Sequence, residues 1–299
     1  MQSEQTAQIQ QKNQEKPSLK EIFAKAKSSA FRGGISGAMA MVIQVCSLMW
    51  MRTTMNYQYR YGTSTKQALQ TLYSQGGVRR FYRGIAPALI QGPVSRFGDT
   101  AANTGALAML EHVNIPTPVK TIAASASAAL FRIFLMPIDA VKTTLQVEGQ
   151  TGLSKLMTKA KSNGPTVFWH GSLGAVTATF VGHYPWFATY NFLNANLPQY
   201  DEGIKKLGRS AFIGFTSSVV SDTCSNSLRV LKTYRQTSTE KVTYLDAAKN
   251  IVQNEGYMGL FGRGLQTRII TNGMQGLLFS VMWRQFQDMF AKRDLAKNN

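Results

Sequence analysis

The 299-residue chain carries 33 Lys and Arg against 15 Asp and Glu, a formal net charge of +18 at pH 7. This excess favours anionic partners. Because the basic residues recur beside apolar segments and not in one stripe or tail, it argues against nucleic acid and for lipid or a small solute. The two cysteines, Cys46 and Cys224, lack the spacing of a metal or redox site.

The chain begins with a Gln-rich stretch, MQSEQTAQIQQKNQEKP, which is almost free of large apolar residues. Such a segment cannot bury enough surface to fold, so we expect a polar N-terminal tail over residues 1–30. Six apolar segments follow, each long enough to cross a hydrocarbon layer of roughly 30 Å as a helix. They are 31–51, 84–110, 119–141, 172–196, 209–231 and 265–289.

Each of these segments also carries polar, Gly or Pro residues. Such residues are tolerated at membrane depth where they face a protein interior or a wet cavity. The composition therefore permits six helices around water, although the mean hydropathy of −0.15 is low for a membrane protein.

The third segment ends in MPIDAVKTTLQV, where Pro137, Asp139 and Lys142 follow an apolar run. By itself this stretch predicts either a helix that stops at a surface or a kinked helix whose charges stand at the mouth of a cavity. The pattern recurs in SLMWMRTTMN (47–56) and SLRVLKTYRQ (227–236), with the basic residues 90 positions apart and an amide four positions later. The repeated positions are Arg52, Lys142 and Lys232, followed by Asn56, Gln146 and Gln236. This spacing indicates a triplicated unit.

A second element follows each copy: GVRRFYRG (77–84), GPTVFWHG (164–171) and GYMGLFGRG (256–264). Between the two elements lie amphipathic helix candidates such as STKQALQTLYSQ and TYLDAAKNIVQN. Each repeat is therefore predicted to contain an apolar helix, a loop with a surface helix, and a second apolar helix. We expect the repeats to span 31–115, 116–205 and 206–299 and to form one membrane domain.

These motifs resemble the threefold signature of the mitochondrial carriers, in which a proline, an acid and a base precede a glycine–aromatic–base–glycine element. The resemblance covers residues 31–290. It implies an all-α membrane protein, with six transmembrane helices in a threefold pseudo-symmetric barrel and short matrix surface helices. It also implies a multi-pass location in the mitochondrial inner membrane and a cavity that opens alternately to either side.

The resemblance further implies a matrix gate, in which the acid of one repeat pairs with the base of the next. The implied gate residues are Arg52, Asp139, Lys142, Gln146, Arg229, Lys232 and Gln236. The acid positions hold Met49, Asp139 and Arg229, so one acid of three remains. The implied pairs are Asp139 with Lys232, Lys142 with Met49, and Arg229 with Arg52. The last is a like-charge contact unless an anion intervenes.

A second gate, toward the intermembrane space, is implied on the even-numbered helices. Its acid positions hold Thr104, Asn191 and Arg284, and its basic positions hold Leu107, Asn194 and Gln287. Since none of the six is an acid, no salt bridge can form among them. Two interpretations stay open: a low barrier to opening, or a barrel that no longer cycles.

The resemblance implies a substrate cavity lined by Gln91, Arg96, Arg132, Thr179, His183, Asp222, Arg268 and Asn272. Arg132 and Asp222 are ionisable groups within apolar helices, which by default marks a functional site, but a structural ion pair between the two is equally compatible with the sequence. His183 is either a pH-sensitive cavity group or a neutral histidine bonded within the bundle. Arg268 occupies a position where the family often has arginine, which favours a general helix or cavity role.

Cardiolipin is the bound lipid that the resemblance implies, and no other cofactor is expected. Its headgroups would meet the helix starts that follow three glycines, where backbone N–H groups suit a phosphate. The residues implied are Gly84, Gly171 and Gly264, with Arg83, His170 and Arg263 beside them.

The leading functional hypothesis is a carrier that exchanges a small anionic metabolite, in particular a carboxylate, because arginine suits bidentate carboxylate recognition. The alternative is a carrier-derived scaffold within a larger inner-membrane assembly, such as a respiratory complex, because five of the six gate acids are replaced. An enzyme is not expected, since no nucleophile–base pair, metal cluster or phosphate loop stands at motif spacing.

Overall fold

The computed structural model describes residues 19–110, 117–200 and 203–298. Within these ranges the chain forms helices and no strand. The α-helices are α1 (Leu19–Tyr61), α2 (Thr65–Ser74), α3 (Gly77–Phe81), α4 (Ile85–Leu110), α5 (Thr117–Phe134), α6 (Met136–Glu148), α7 (Gly152–Asn163), α8 (Ser172–Asn196), α9 (Gly203–Thr237), α10 (Tyr244–Gly262) and α11 (Leu265–Asn298). Short 3₁₀ helices lie at Gly149–Thr151 and Pro165–Trp169.

The long helices pack in a closed order. α1 contacts α4, α4 contacts α5 and α6, and α5 contacts α8; α8 then contacts α9, α9 contacts α11, and α11 returns to α1. Inside this order α1, α6 and α9 contact one another, so the corresponding helices of the three repeats converge. Within the described ranges, no helix contains a stretch with the length and apolar character that a bilayer crossing requires.

The first helix begins earlier than expected. Residues 1–18 of the predicted tail lie outside the described residues, but α1 already starts at Leu19, inside the predicted tail. The segment LKEIFAKAKSSAF contains Leu, Lys, Glu and Ala, which are good helix formers, so helix propensity extends α1 upstream of the apolar segment.

The predicted helix break occurs in the second repeat. α5 ends at Phe134, and α6 begins at Met136 with Pro137 in its first turn, where the missing N–H of proline costs no helical hydrogen bond. The equivalent positions of the other repeats hold Ser47 and Ser227, and there α1 and α9 continue without a break.

Two of the surface helices begin with side-chain caps. Ser64 Oγ accepts from Gln67 N at 3.3 Å, and Gln67 Oε1 accepts from Ser64 N at 3.1 Å. Thr243 and Asp246 form the same reciprocal pair at the start of α10. This capping box satisfies N–H groups that have no partner within the helix, which explains why the helices start at these residues.

The glycines of the second motif form tight turns against the next repeat. Gly84, Gly171 and Gly264 have φ values of +85°, +107° and +63°, which L side chains rarely adopt. A Cβ at Gly84 would stand 3.0 Å from the Lys142 carbonyl oxygen in α6, and one at Gly264 would stand 2.9 Å from the Tyr59 ring in α1. The helices that follow these glycines, α4, α8 and α11, therefore start in close contact with α6, α9 and α1 of the following repeat.

One buried basic side chain from each repeat caps the C-terminal end of α1, α6 or α9 in the next repeat. Arg80 donates to Gln146 O at 2.8 Å and Val147 O at 2.6 Å; Lys159 donates to Ser238 O at 2.5 Å and Arg235 O at 3.3 Å; Arg263 donates to Tyr59 O at 3.2 Å and Arg60 O at 3.1 Å. We call Arg80, Lys159 and Arg263 the C-terminal clamps. The last carbonyls of a helix lack helical partners and carry partial negative charge. A cationic side chain donates hydrogen bonds to them and also compensates their negative charge.

Candidate anion-binding cavity

The convergence of α1, α6 and α9 leaves a polar cavity of about 280 Å³, to which α4 and α11 also contribute. A second lobe of about 150 Å³ extends toward α5 and α8 and shares Gln91, Ser95 and Asp139 with the first. Basic side chains dominate the lining of the two lobes: Arg52, Arg132, Lys142, Arg229, Lys232 and Arg268. Arg52, Lys142 and Lys232, which stand 90 residues apart, thus face one interior.

Asp139 links two lysines at the floor of the cavity. Its Oδ1 lies 2.6 Å from Lys142 Nζ, its Oδ2 lies 2.6 Å from Lys232 Nζ, and Gln236 Nε2 approaches Oδ2 at 3.4 Å. The bond to Lys232 is the contact that the sequence predicted between α6 and α9. Asp139 is only 6 % exposed, so these partners compensate the cost of burying its charge.

Lys142 does not face Met49 as expected. It donates to Asp139 on its own helix and to Gln91 Oε1 at 3.0 Å, because its flexible side chain reaches a charged and a polar acceptor. Gln146 takes the place beside Met49: its Nε2 lies 3.4 Å from the Met49 sulfur, and its Oε1 accepts from Asn56 Nδ2 at 2.6 Å. An amide pair therefore joins α1 to α6 where the repeat pattern expects an ion pair.

The remaining gate position holds two arginines. Arg52 in α1 and Arg229 in α9 both line the 280 Å³ cavity. Arg229 Nε donates to Ser225 Oγ at 3.3 Å, one turn earlier on its own helix. Arg52 Nε is buried and has no hydrogen-bond partner among the described residues. The like-charge contact that the sequence predicted is thus compatible with the lining of this cavity.

Asp222 is held by two groups of α11. Arg268 Nε donates to its Oδ1 at 2.7 Å, and Asn272 Nδ2 makes a short hydrogen bond to its Oδ2. Asp222 is 5 % exposed, and Arg268 and Asn272 both line the cavity. The structure therefore gives Arg268 a specific ion pair, which the sequence alone did not predict.

Other predicted cavity residues lie in several environments. Gln91 lines both lobes, and Arg132 in the second lobe donates from Nη1 to Thr179 Oγ1 at 3.4 Å. His183 packs edge-on against Phe187, with ring centroids 6.1 Å apart, and does not line either lobe. The side chain of Arg96 lies outside the described residues.

At the predicted intermembrane-space gate, four side chains lie outside the described part of the chain: those of Thr104, Leu107, Arg284 and Gln287. Of the other two positions, Asn191 is exposed and Asn194 Oδ1 accepts from Arg209 Nη1 at 2.9 Å. That gate stays a prediction.

The basic residues predicted to meet cardiolipin have protein partners of their own. Arg83 Nη2 donates to Gln150 Oε1 at 3.2 Å, and Arg263 is a C-terminal clamp that also binds Glu255 at 2.5 Å. Burial, reinforced by the charges of Lys159, Arg235 and Lys241, lowers the pKa of His170 to about 4, so it is neutral at pH 7. The lipid site stays a prediction, with Arg83 as its most accessible charge.

Sequence reasoning predicted none of the three C-terminal clamps: it did not single out Arg80 or Lys159, and it gave Arg263 a lipid-binding role. Arg80 stands four residues before Gly84, Lys159 lies in the surface helix α7, and Arg263 directly precedes Gly264. Because these positions are not equivalent in the repeat, no periodic signal marks them. A basic residue near a helix end elsewhere in the chain is too common a pattern to identify them.

The cavity offers binding and no evident covalent chemistry. Guanidinium and ammonium groups bind oxyanions through charge-assisted hydrogen bonds, and arginine adds bidentate geometry. Among the described residues, no group of three or more His, Cys, Asp or Glu is placed to hold a metal ion.

Comparison with known proteins finds three consecutive matches to one family model along the chain. The family model described as mitochondrial carrier protein matches residues 21–107, 114–201 and 205–294. A calcium-dependent mitochondrial ATP-magnesium/phosphate carrier protein 2 from Arabidopsis thaliana is 25% identical over 264 residues, covering 80% of this chain and 51% of that protein. A mitochondrial RNA-splicing protein, MRS4, from Saccharomyces cerevisiae is 24% identical over 174 residues, covering 53% of this chain and 57% of that protein.

The chain thus spans between half and three fifths of the length of these two relatives. Members of the matched family are transporters and not enzymes. Three consecutive family matches, a closed order of long helices and a basic cavity where the repeats meet lead to one conclusion. The chain belongs to the mitochondrial carrier family.

Proposed function

We propose that this protein is a multi-pass carrier of the mitochondrial inner membrane that exchanges a small anionic metabolite, a carboxylate, by alternating access. The observation that carries the proposal is the charge of the cavity: six basic side chains line its two lobes, and Asp139 is the acid among the lining residues. A cavity with this excess of cations attracts and binds anions.

The size of the cavity supports a small substrate. Its main lobe of about 280 Å³ lies below the roughly 300–1,000 Å³ of pockets that hold drug-sized ligands. Gln91 lines both lobes, and Arg132 extends the polar surface into the second lobe. We propose Gln91, Arg132, Arg268 and Asn272 as substrate contacts, with Thr179 positioning Arg132.

The membrane-spanning part of the proposal rests on where the polar groups lie. Five charged residues of α1, α6 and α9 face the shared cavity, where polar groups are tolerated within a membrane protein: Arg52, Asp139, Lys142, Arg229 and Lys232. Large apolar side chains such as Phe134 (80 % exposed), Phe192 (65 %) and Leu277 (66 %) lie on the outer surface, as lipid contact requires.

Cardiolipin is the lipid that we propose to bind this carrier. Its phosphates would contact the backbone N–H groups after Gly84, Gly171 and Gly264, with Arg83 adding charge. Adding cardiolipin to the purified protein should raise the unfolding temperature more than adding the same amount of phosphatidylcholine. Equal shifts with the two lipids would remove the lipid site from the proposal.

Uptake into liposomes tests the transport proposal. Purified protein should exchange labelled di- or tricarboxylates, and Arg132→Ala should abolish that exchange. Arg79→Ala is the matched control. Arg79 is exposed on the short helix α3, and its substitution removes the same charge outside the cavity. An Arg132→Ala variant with the unaltered rate would remove that residue from the site. Uptake of labelled phosphate without carboxylates would change the substrate class.

A scaffold role is the second candidate, and the sparse charge network favours it. Asp139 is the one acid at the three matrix-gate positions, and among its two lysine pairs only the one with Lys232 joins α6 to α9, because Lys142 lies in α6 itself. A barrel closed by so few ionic links is a weak basis for regulated opening. Stable co-purification with inner-membrane subunits in mild detergent, together with no uptake of any labelled anion, would favour this role over transport.

A further inference from the structure

The internal repeat predicts where the three central helices should be joined by ion pairs. Asp139 of α6 binds Lys232 of α9. A shift of 90 residues carries Asp139 to position 229 in α9, and Lys232 has its counterpart in Arg52 of α1. The positions in α9 and α1 that correspond to Asp139 and Lys232 therefore hold two arginines, Arg229 and Arg52, and both line the 280 Å³ cavity.

Like charges in a cavity need a counter-ion. Arg268 lines the same cavity and brings a third guanidinium, whose charge is paired with Asp222. Removing the guanidinium groups of Arg52 and Arg229 from bulk water into one cavity without a counter-charge is strongly unfavourable. Such a cluster persists only if a negative charge compensates it.

The nearby carboxylates are already engaged. Asp139 is held between Lys142 and Lys232, and Asp222 is held by Arg268 and Asn272. The oxygens of both carboxylates thus bond other side chains, and among the described residues neither carboxylate makes a hydrogen bond to Arg52 or Arg229.

The hydrogen-bonding capacity of the two arginines supports the same conclusion. Arg52 Nε is buried without a partner among the described residues, and Arg229 Nε has a long bond of 3.3 Å to Ser225 Oγ. A guanidinium has five N–H donors in a planar fork that matches the oxygens of phosphate or carboxylate. Two such forks lining one cavity form a site for a single oxyanion.

We propose that an oxyanion of the phosphate or carboxylate class binds between Arg52 and Arg229 and joins α9 to α1 as Asp139 joins α6 to α9. The anion acts as a diffusible replacement for a gate carboxylate. This inference goes beyond the proposed transport function and does not require that the bound anion be transported.

Thermal unfolding of the purified full-length protein in detergent tests the proposal. Inorganic phosphate and succinate are titrated separately against chloride at constant ionic strength. At least one of them should raise the unfolding temperature saturably, and which one does so identifies the class. No shift with either anion overturns the proposal.

Charge reversal at position 229 provides the decisive comparison. Arg229→Glu supplies the missing carboxylate beside Arg52, so this variant should unfold at a higher temperature than the unmodified protein in chloride and lose the anion response. Arg79→Glu, an equal charge change at an exposed site on α3, should keep the response. An Arg229→Glu variant that retains the full anion-induced shift overturns the proposal.

A milder variant keeps the test informative if Arg229→Glu does not fold. Arg229→Gln removes one guanidinium and should weaken the apparent anion affinity about tenfold, the weight of one charge-assisted hydrogen bond. Unaltered affinity in Arg229→Gln counts against the site. Because binding is measured in detergent, an anion-induced shift without liposome uptake refutes only the transport proposal, and uptake without a shift refutes only this site.

Discussion

Asp139→Asn is the substitution for which the structure predicts the largest loss of stability. Asp139 Oδ1 and Oδ2 each lie 2.6 Å from a lysine Nζ, and the residue is 6 % exposed. With an effective dielectric constant of about 20, each attraction amounts to about 6 kcal/mol before the cost of desolvating the ions. Asparagine keeps the shape but removes the charge, which leaves Lys142 and Lys232 facing each other without compensation.

The net effect is smaller than the sum of the two attractions, because desolvation has already cancelled much of each. Removing one partner of a buried ion pair costs about 3–5 kcal/mol. Domains of 150–250 residues lose about 2–4 °C in unfolding temperature per kcal/mol. We therefore expect Asp139→Asn to unfold about 10 °C below the unmodified protein.

Thermal unfolding in detergent at low ionic strength measures this shift. Glu240→Gln is the matched control, because Glu240 is exposed and the substitution removes the same charge. A difference of less than about 2 °C between the two variants would contradict the reasoning. It would mean that the Asp139 links contribute no net stability to the folded state.

Three further substitutions test the clamps, the electrostatics and the tight turns. Arg80→Ala should cost about 2–3 kcal/mol, because it leaves the Gln146 and Val147 carbonyls without their charged donor; Arg79→Ala should be nearly neutral in the same unfolding assay, and equal effects would exclude the clamp. His170 has a folded-state pKa of about 4, below its unfolded value, so the unfolded chain binds more protons between about pH 4 and 6.5; stability should fall as pH decreases through that window, and His170→Gln should flatten the slope. If His170→Gln left the slope of stability against pH unchanged, that pH dependence would have to come from other titratable groups. Gly84→Ala should destabilise by about 1–3 kcal/mol, since φ is +85° and the new Cβ would stand 3.0 Å from the Lys142 carbonyl oxygen. Gly208→Ala, in a helix with open space around it, should be neutral or slightly stabilising, and the reverse order would refute the turn argument.

Local signals explain which parts of the architecture were predictable. The 90-residue spacing of Arg52, Lys142 and Lys232 identified three equivalent helices, the family resemblance implied a common cavity, and the three side chains line one cavity in the structure. The glycines that end the second motif were predicted as a repeated element at helix starts, and the structure adds that all three have a positive φ, which glycine adopts without strain. The helix start at Leu19 was missed because apolarity, not helix propensity, was used to locate the first helix.

The pairing of the charges was predictable only in part. The contact between Asp139 and Lys232 follows from the repeat, although the two residues are 93 positions apart. Lys142 bonds Asp139 and Gln91 instead of facing Met49, because a long flexible side chain selects among all acceptors within its reach. Arg263 binds two carbonyls at the end of α1, a contact that the sequence did not predict, and its predicted contact with a lipid phosphate stays a prediction.

Sequence alone determined that the chain is a threefold helical repeat, because repeat spacing is encoded locally, and the resemblance to the mitochondrial carriers implied which basic residues face a shared interior. Tertiary structure decided which partner each charge acquires, since Arg268 and Asp222 lie 46 residues apart and each has several candidate partners within the bundle. It also decided the C-terminal clamps, which occupy different positions in each repeat. Ion pairs and helix caps depend on distances of a few ångströms between separate helices, and those distances exist only after the helices have packed.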